Sequence, residues 1–196
     1  MPLPPRAADR PLNAELERLL YQAKVILEEA EGLAWGLTQD QFNWRPADGS
    51  WSVGQCMDHL NMANRGFIAN SEVAIRSARE KRQLSDGPFR YGWLVRWLYR
   101  QMEPPVKRRF KAPPVFDPAS GKEKADVQAE WVKNHERLNE LIRDANGIDL
   151  VKVKVVSPAA SWLKYSIGMG LWIQCAHDRR HLWQARNVRN HPGFPG

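Results

Sequence analysis

The sequence predicts an all-α fold built as a bundle of four long helices, and three observations predict it. Apolar residues recur at helical spacing in four separate stretches, and a long proline-rich segment parts the second stretch from the third. Only one short segment alternates in the manner of a strand. One strand cannot build a sheet.

The first helix runs from about residue 13, where Asn13 is a good N-cap, to about residue 36. Leu16, Leu19, Leu20, Ala23, Ile26, Leu27, Ala30 and Leu33 form its apolar stripe, and Gly32 and Gly36 weaken its end. LTQDQFNWRPADGS then reads as a loop, punctuated by Pro and Gly. The second helix spans about 52–82. Ser52 followed by Gln55 has the form of a capping box, in which both side chains satisfy free backbone N–H groups. Val53, Cys56, Met57, His59, Leu60, Ala63 and Phe67 lie on or beside its inward face. Ala63 and Gly66 follow His59 along one line, and such small neighbours are expected to leave room for a ligand.

QLSDGP reads as a turn and FRYGWLVRWLYRQME as a short amphipathic helix. PPVKRRFKAPPVFDPASG has five prolines, which remove backbone donors and fix φ, so it is expected to be an extended crossover loop. A connection this long inside a compact domain is often functional. The third helix, about 121–145, is expected to start at a second capping box, Ser120 with Glu123. Val127, Trp131, Leu138, Leu141 and Ile142 form its stripe, and Asn146-Gly147 stops it. DLVKVKVVSP is read as an extended connection. The fourth helix, about 166–190, puts Ile173, His177, His181, Gln184 and Val188 on one face.

With 196 residues, the chain is expected to form a single domain over 1–196 that needs no disulfide staples. Its two cysteines, Cys56 and Cys175, suit a reducing, cytoplasmic setting. The opening MPLPPRAADRP lacks the apolar stretch of a secretory signal, and no apolar run approaches the ~18 residues of a membrane span. A soluble protein is expected. The net charge of +7 is concentrated: residues 76–111 hold eleven Lys or Arg against three acids, while the remainder is nearly neutral. Such a segment could meet an anionic substrate, an acidic lipid surface or nucleic acid, or simply be a solvated face. No nucleotide, flavin or haem motif is visible.

The residues that carry chemistry are three histidines. His177 and His181, four apart, project from one helical face with Cβ atoms about 5–6 Å apart, so one divalent ion could bridge them. His59, inward on another helix, would complete the set and leave an open coordination position, the mark of a catalytic rather than a structural site. Three uncompensated inward imidazoles would be costly, and a metal accounts for all of them. Gln184, on the face of His181, could hydrogen-bond a ligand in the open position or orient a histidine.

Asp58 and Asp178 each adjoin a histidine and so turn about 100° away from it. His135, among Lys133, Asn134, Glu136 and Arg137, reads as solvated, and His191 as terminal surface. Both cysteines stay outside the ligand set. Trp93, Trp97 and Tyr99 suggest an aromatic lid or a partner-facing surface; Trp51, Trp131, Trp172 and Trp183 are expected to pack in or around the core.

RPADGSWSVGQCMDHLNMA resembles the second-helix signature of the DinB-like superfamily, and AHDRRHLWQARNV is similar to its last-helix H-x-x-x-H-x-x-Q pattern. Their order and separation match too. The aromatic, proline-rich middle matches only loosely, so substrate selection does not carry over. The resemblance implies an up-down-down-up bundle, a divalent ion on His59, His177 and His181, and a homodimer. It implies a small-thiol S-transferase or a hydrolase of small substrates. The ion expected from the donor set is Zn²⁺ or Ni²⁺, with Mn²⁺ or Fe²⁺ as further choices. The rival reading is a non-catalytic protein that binds nucleic acid or an anionic surface through residues 76–111.

Overall fold

The computed structural model describes residues 11–47, 49–106 and 113–196. Among the described residues the chain is predominantly helical, with 62% of them in helix and a two-stranded sheet beside the helices. In order come α1 (Ala14–Ala34), α2 (Gln39–Asn43), α3 (Val53–Glu80), α4 (Trp93–Met102), a 3-10 turn at Pro114–Phe116, α5 (Lys124–Asp144), β1 (Lys154–Val156), β2 (Lys164–Ser166) and α6 (Ile167–Arg189). Helix α3 packs on α5 and α6, α1 packs on the same two helices, and α4 lies along α6.

Local chemistry sets the helix starts. The Asn13 side chain accepts from the Glu15 N–H, and the Ser166 hydroxyl accepts from Met169 N–H. Ser52 and Gln55 form the expected capping box at the head of α3. Behind these caps the expected stripes are buried: Leu16, Leu19, Ala23 and Ile26 on α1, Val53, Met57, Leu60 and Phe67 on α3, and Val127, Trp131, Leu138 and Ile142 on α5. Each such side chain contributes roughly 1.5–3 kcal/mol by leaving water. Ion pairs between helices, Arg65 with Glu130 and Arg186 with Glu29, sit near the surface. They contribute about 1 kcal/mol or less.

Four expectations change. The segment after α1, read as loop, contains α2, started by a capping box of Thr38 and Gln41; Phe42 is buried from it, against Gly54. Five residues are too few to show a helical period. The capping box of Ser120 and Glu123 is absent. Gly121, at φ +73°, turns the chain there, and α5 begins at Lys124, whose N–H donates to the Gln39 side chain at 2.9 Å. A residue from α2 thus caps α5 in place of a local one. The extended connection after α5 is a strand after all: β1 pairs antiparallel with β2, Val155 facing Tyr165. Its partner is three residues long and runs straight into α6. Finally, the space opened by Gly66 is taken by Pro158, since a Cβ there would lie 2.8 Å from that residue.

The amino-terminal residues 1–10, and Lys107, Arg108, Arg109 and Lys111 of the basic segment, lie outside the described residues. Among the described residues, no helix is long and apolar enough to cross a membrane.

Candidate metal centre

Three helical positions build the centre, one from α3 and two from α6. His59 enters α3 at its second turn, set by the Ser52 cap; His177 and His181 stand one turn apart on α6. The ligand atoms of the three side chains all lie within 4.8 Å of one another. The Nε2 atoms of His59 and His177 are 3.2 Å apart. Two nitrogens about 2.1 Å from one ion, at a tetrahedral angle, would be about 3.4 Å apart. Ring centroids are separated by 4.5 Å (His59–His181), 4.7 Å (His177–His181) and 5.1 Å (His59–His177). The expected trio does come together.

Two of the rings have their far nitrogen occupied. His59 Nδ1–H donates to the Phe116 carbonyl at 2.8 Å, which leaves Nε2 a bare lone pair facing the centre. His181 Nδ1–H donates to Gln184 Oε1 at 3.1 Å, with the same result. Gln184 therefore sits behind a ring rather than inside the trio. Each imidazole is also held neutral. Burial lowers His59 below its ordinary value, against the raising effects of the Phe116 bond, Asp58 and Asp117. Burial, then the neighbouring His59 and Arg180, takes His177 down to about 3. Burial first, followed by His177, His59 and Arg180, lowers His181 well below the usual range, against the Gln184 bond. Neutral imidazoles with convergent lone pairs are the form that binds a cation. These three histidines could hold a divalent ion.

The surroundings come from places read as core or loop. Trp51 lies against both His59 and His181, with centroids 4.9 and 5.6 Å away, and closes one side. Its signal was its position just before the Ser52 cap, eight residues ahead of His59. Phe116 supplies both the carbonyl and an edge-on ring 6.3 Å from His59. It comes from the proline-rich crossover, which Gln55 also grips through the Pro118 carbonyl at 3.3 Å. The long loop is part of the site.

The remaining candidates sort differently. Asp58 turns away from the trio and accepts from Lys122 at 2.8 Å. Cys56 and Cys175 are free and buried, and burial raises both thiols, Cys175 to about 12. His191 is exposed beside Trp44, as expected of terminal surface. His135 corrects the sequence reading: it is fully buried, not solvated. Its ring packs on Trp131 with centroids 3.9 Å apart, its Nδ1–H donates to the Trp131 carbonyl at 3.2 Å, and its Nε2 stands 3.8 Å from Asp178 Oδ2. Asp178 Oδ1 accepts from Asn64 at 3.2 Å and Gln174 at 3.1 Å. The charged residues flanking His135 occupy the other faces of α5, which concealed its inward angle. A second polar cluster thus lies in the core beside the trio.

A family model for the DinB superfamily matches residues 22–185, and the chain belongs to that superfamily. No curated protein and no solved structure matches the chain.

Proposed function

We propose that this chain is a divalent-metal-dependent enzyme, either a small-thiol S-transferase or a hydrolase of small substrates. The observation that carries the reading is the convergence of three neutral imidazoles, two of them locked with their lone pairs inward. The donor set fits a borderline ion such as Zn²⁺ or Ni²⁺, with Mn²⁺ or Fe²⁺ as further choices. A bound ion would lower the pKa of a thiol or water placed in the open position and make it a nucleophile at neutral pH. His59, His177 and His181 would hold it. Gln184 and the Phe116 carbonyl orient two of the rings, and so act as positioning groups. Trp51 screens the trio from water on one side, which strengthens every electrostatic interaction within.

The finer parts of this reading rest on the family: an up-down-down-up four-helix bundle over 1–196, acting as a cytoplasmic homodimer on a small molecule. Arg180, buried close enough to His177 and His181 to depress both, suits an anionic substrate. The test is elemental analysis of native protein, then a screen of small thiols with electrophiles. One equivalent of divalent metal is expected, and His177→Ala should lose it while keeping its helical content. Protein that is metal-free after loading, with all three histidines intact, would overturn the reading.

A further inference from the structure

Helix α4 is amphipathic in an unusual sense. Tyr99 packs on Trp172 of α6, Val95, Leu98 and Met102 are half-buried, and no residue of the helix is fully buried. The opposite face carries Trp93, Trp97, Arg96 and Arg100, all exposed, with Leu94 at its margin. Trp93 is 73% exposed, although burying an indole is among the most favourable contacts a surface can make.

A second element, the β1–β2 hairpin that leads into α6, repeats the pattern. The tip of the β1–β2 hairpin exposes Trp162 (82%) and Leu163, and Lys154 and Lys164 are exposed beside it. The hairpin runs straight into α6, and Tyr91, just ahead of α4, rests its hydroxyl over Gly168 in the first turn of α6. Both elements therefore adjoin the start of α6. Neither element holds an acid: none occurs between Asp86 and Glu103, or between Asp149 and Asp178.

We infer that these two elements present a docking surface for an anionic lipid bilayer. Trp93, Leu94, Trp97, Trp162 and Leu163 would enter the headgroup boundary, and the arginines and lysines around them would meet acidic headgroups. Tryptophan with flanking cations is the composition of a helix lying in the interface plane. The chemistry favours lipid over two other occupants. A second copy would set one basic face against another, a like-charge contact that costs association. Single-stranded nucleic acid would use the indoles, since bases stack on aromatic rings, but gains nothing from Leu94 and Leu163. An acyl boundary takes both. The inference does not depend on the metal centre.

Flotation of the full chain with vesicles tests it. Equal parts of phosphatidylserine and phosphatidylcholine should carry the protein up the gradient, pure phosphatidylcholine should not, and added salt should release it. Arg96→Gln with Arg100→Gln should weaken partitioning about five-fold per charge, whereas the corresponding lysine variants should restore it. Trp93→Ala with Trp162→Ala should weaken it about ten-fold or more. These side chains are exposed, so unchanged helical content and an unchanged urea midpoint will show that the variants are folded. The inference is overturned if the serine-lipid vesicles fail to bind at low salt or if the variants float like the parent chain. It is equally overturned if an oligonucleotide binds more tightly than the vesicles, or if the exposed tryptophans are consumed by self-association.

Discussion

Two imidazole clusters meet at α6, and they surround their histidines in opposite ways. At His135 a carboxylate is present: Asp178 stands 3.8 Å away, itself steadied by the amides of Asn64 and Gln174. At His59, His177 and His181 no carboxylate of the described residues enters, and the groups behind the rings, the Phe116 carbonyl and Gln184, turn lone pairs inward instead of filling them. Both arrangements bury nitrogen that water would otherwise solvate. The first can be completed by a proton, the second by a cation. Adjacent residues, His177 and Asp178, thus serve different ends, because a turn of 100° on one helix sends them to different neighbours.

The comparison breaks first at the trio. His59→Ala and His181→Ala should each abolish stoichiometric metal, read by elemental analysis, with the circular dichroism of the helices unchanged. Metal retained by either variant would place the ligand set elsewhere.

The second cluster should respond in stability and not in metal. Asp178→Ala leaves the amides of Asn64 and Gln174 without an acceptor, and should cost about 3 kcal/mol in urea unfolding, with the metal content unchanged. Its pH dependence sharpens the contrast. His135 is lowered to about 4 by burial, so it is neutral in the fold and gains a proton on unfolding. Its contribution is present above the ordinary value of 6.5 and is lost as the pH falls through about 4. Asp178 is raised to about 8 by burial, so the fold binds the extra proton and stability declines as the pH rises from 3.8 to about 8. Urea midpoints against pH should show both limbs; His135→Gln should flatten the acid limb and Asp178→Asn the other.

A smaller effect is expected behind the trio. Gln184→Leu removes the acceptor for His181 Nδ1–H, and chelator competition should show metal bound about 10-fold less tightly. Gln184→Glu, which keeps the acceptor, should restore it. The smallest effect lies outside both clusters. Arg186→Gln breaks a half-exposed pair with Glu29 and should shift stability by less than about 1 kcal/mol, measured as the unfolding midpoint.

Much of this was legible in the residues. The apolar stripes of α1, α3 and α5 and the caps at Asn13, Ser52 and Ser166 are local, because a helical period and a side chain bonding three residues ahead need no knowledge of the rest of the chain. The inward angle of His59 and the one-turn spacing of His177 and His181 follow from the same period. His135 shows where local context misleads. Its neighbours Lys133, Asn134, Glu136 and Arg137 announced a wet surface, yet the ring points between α3 and α6, and only the packing of Trp131 and Asp178 reveals that.

What the sequence determined by itself was the helical architecture, the membership carried by residues 22–185, and the three imidazoles worth bringing together. The tertiary structure alone decided which groups stand behind them. Phe116 reaches His59 across 57 residues and Gln39 caps α5 across 85, while β2 meets β1 through a turn that leaves Trp162 exposed. The reason is physical: short-range periodicity fixes the direction of a side chain, whereas its partner is chosen by how the helices pack.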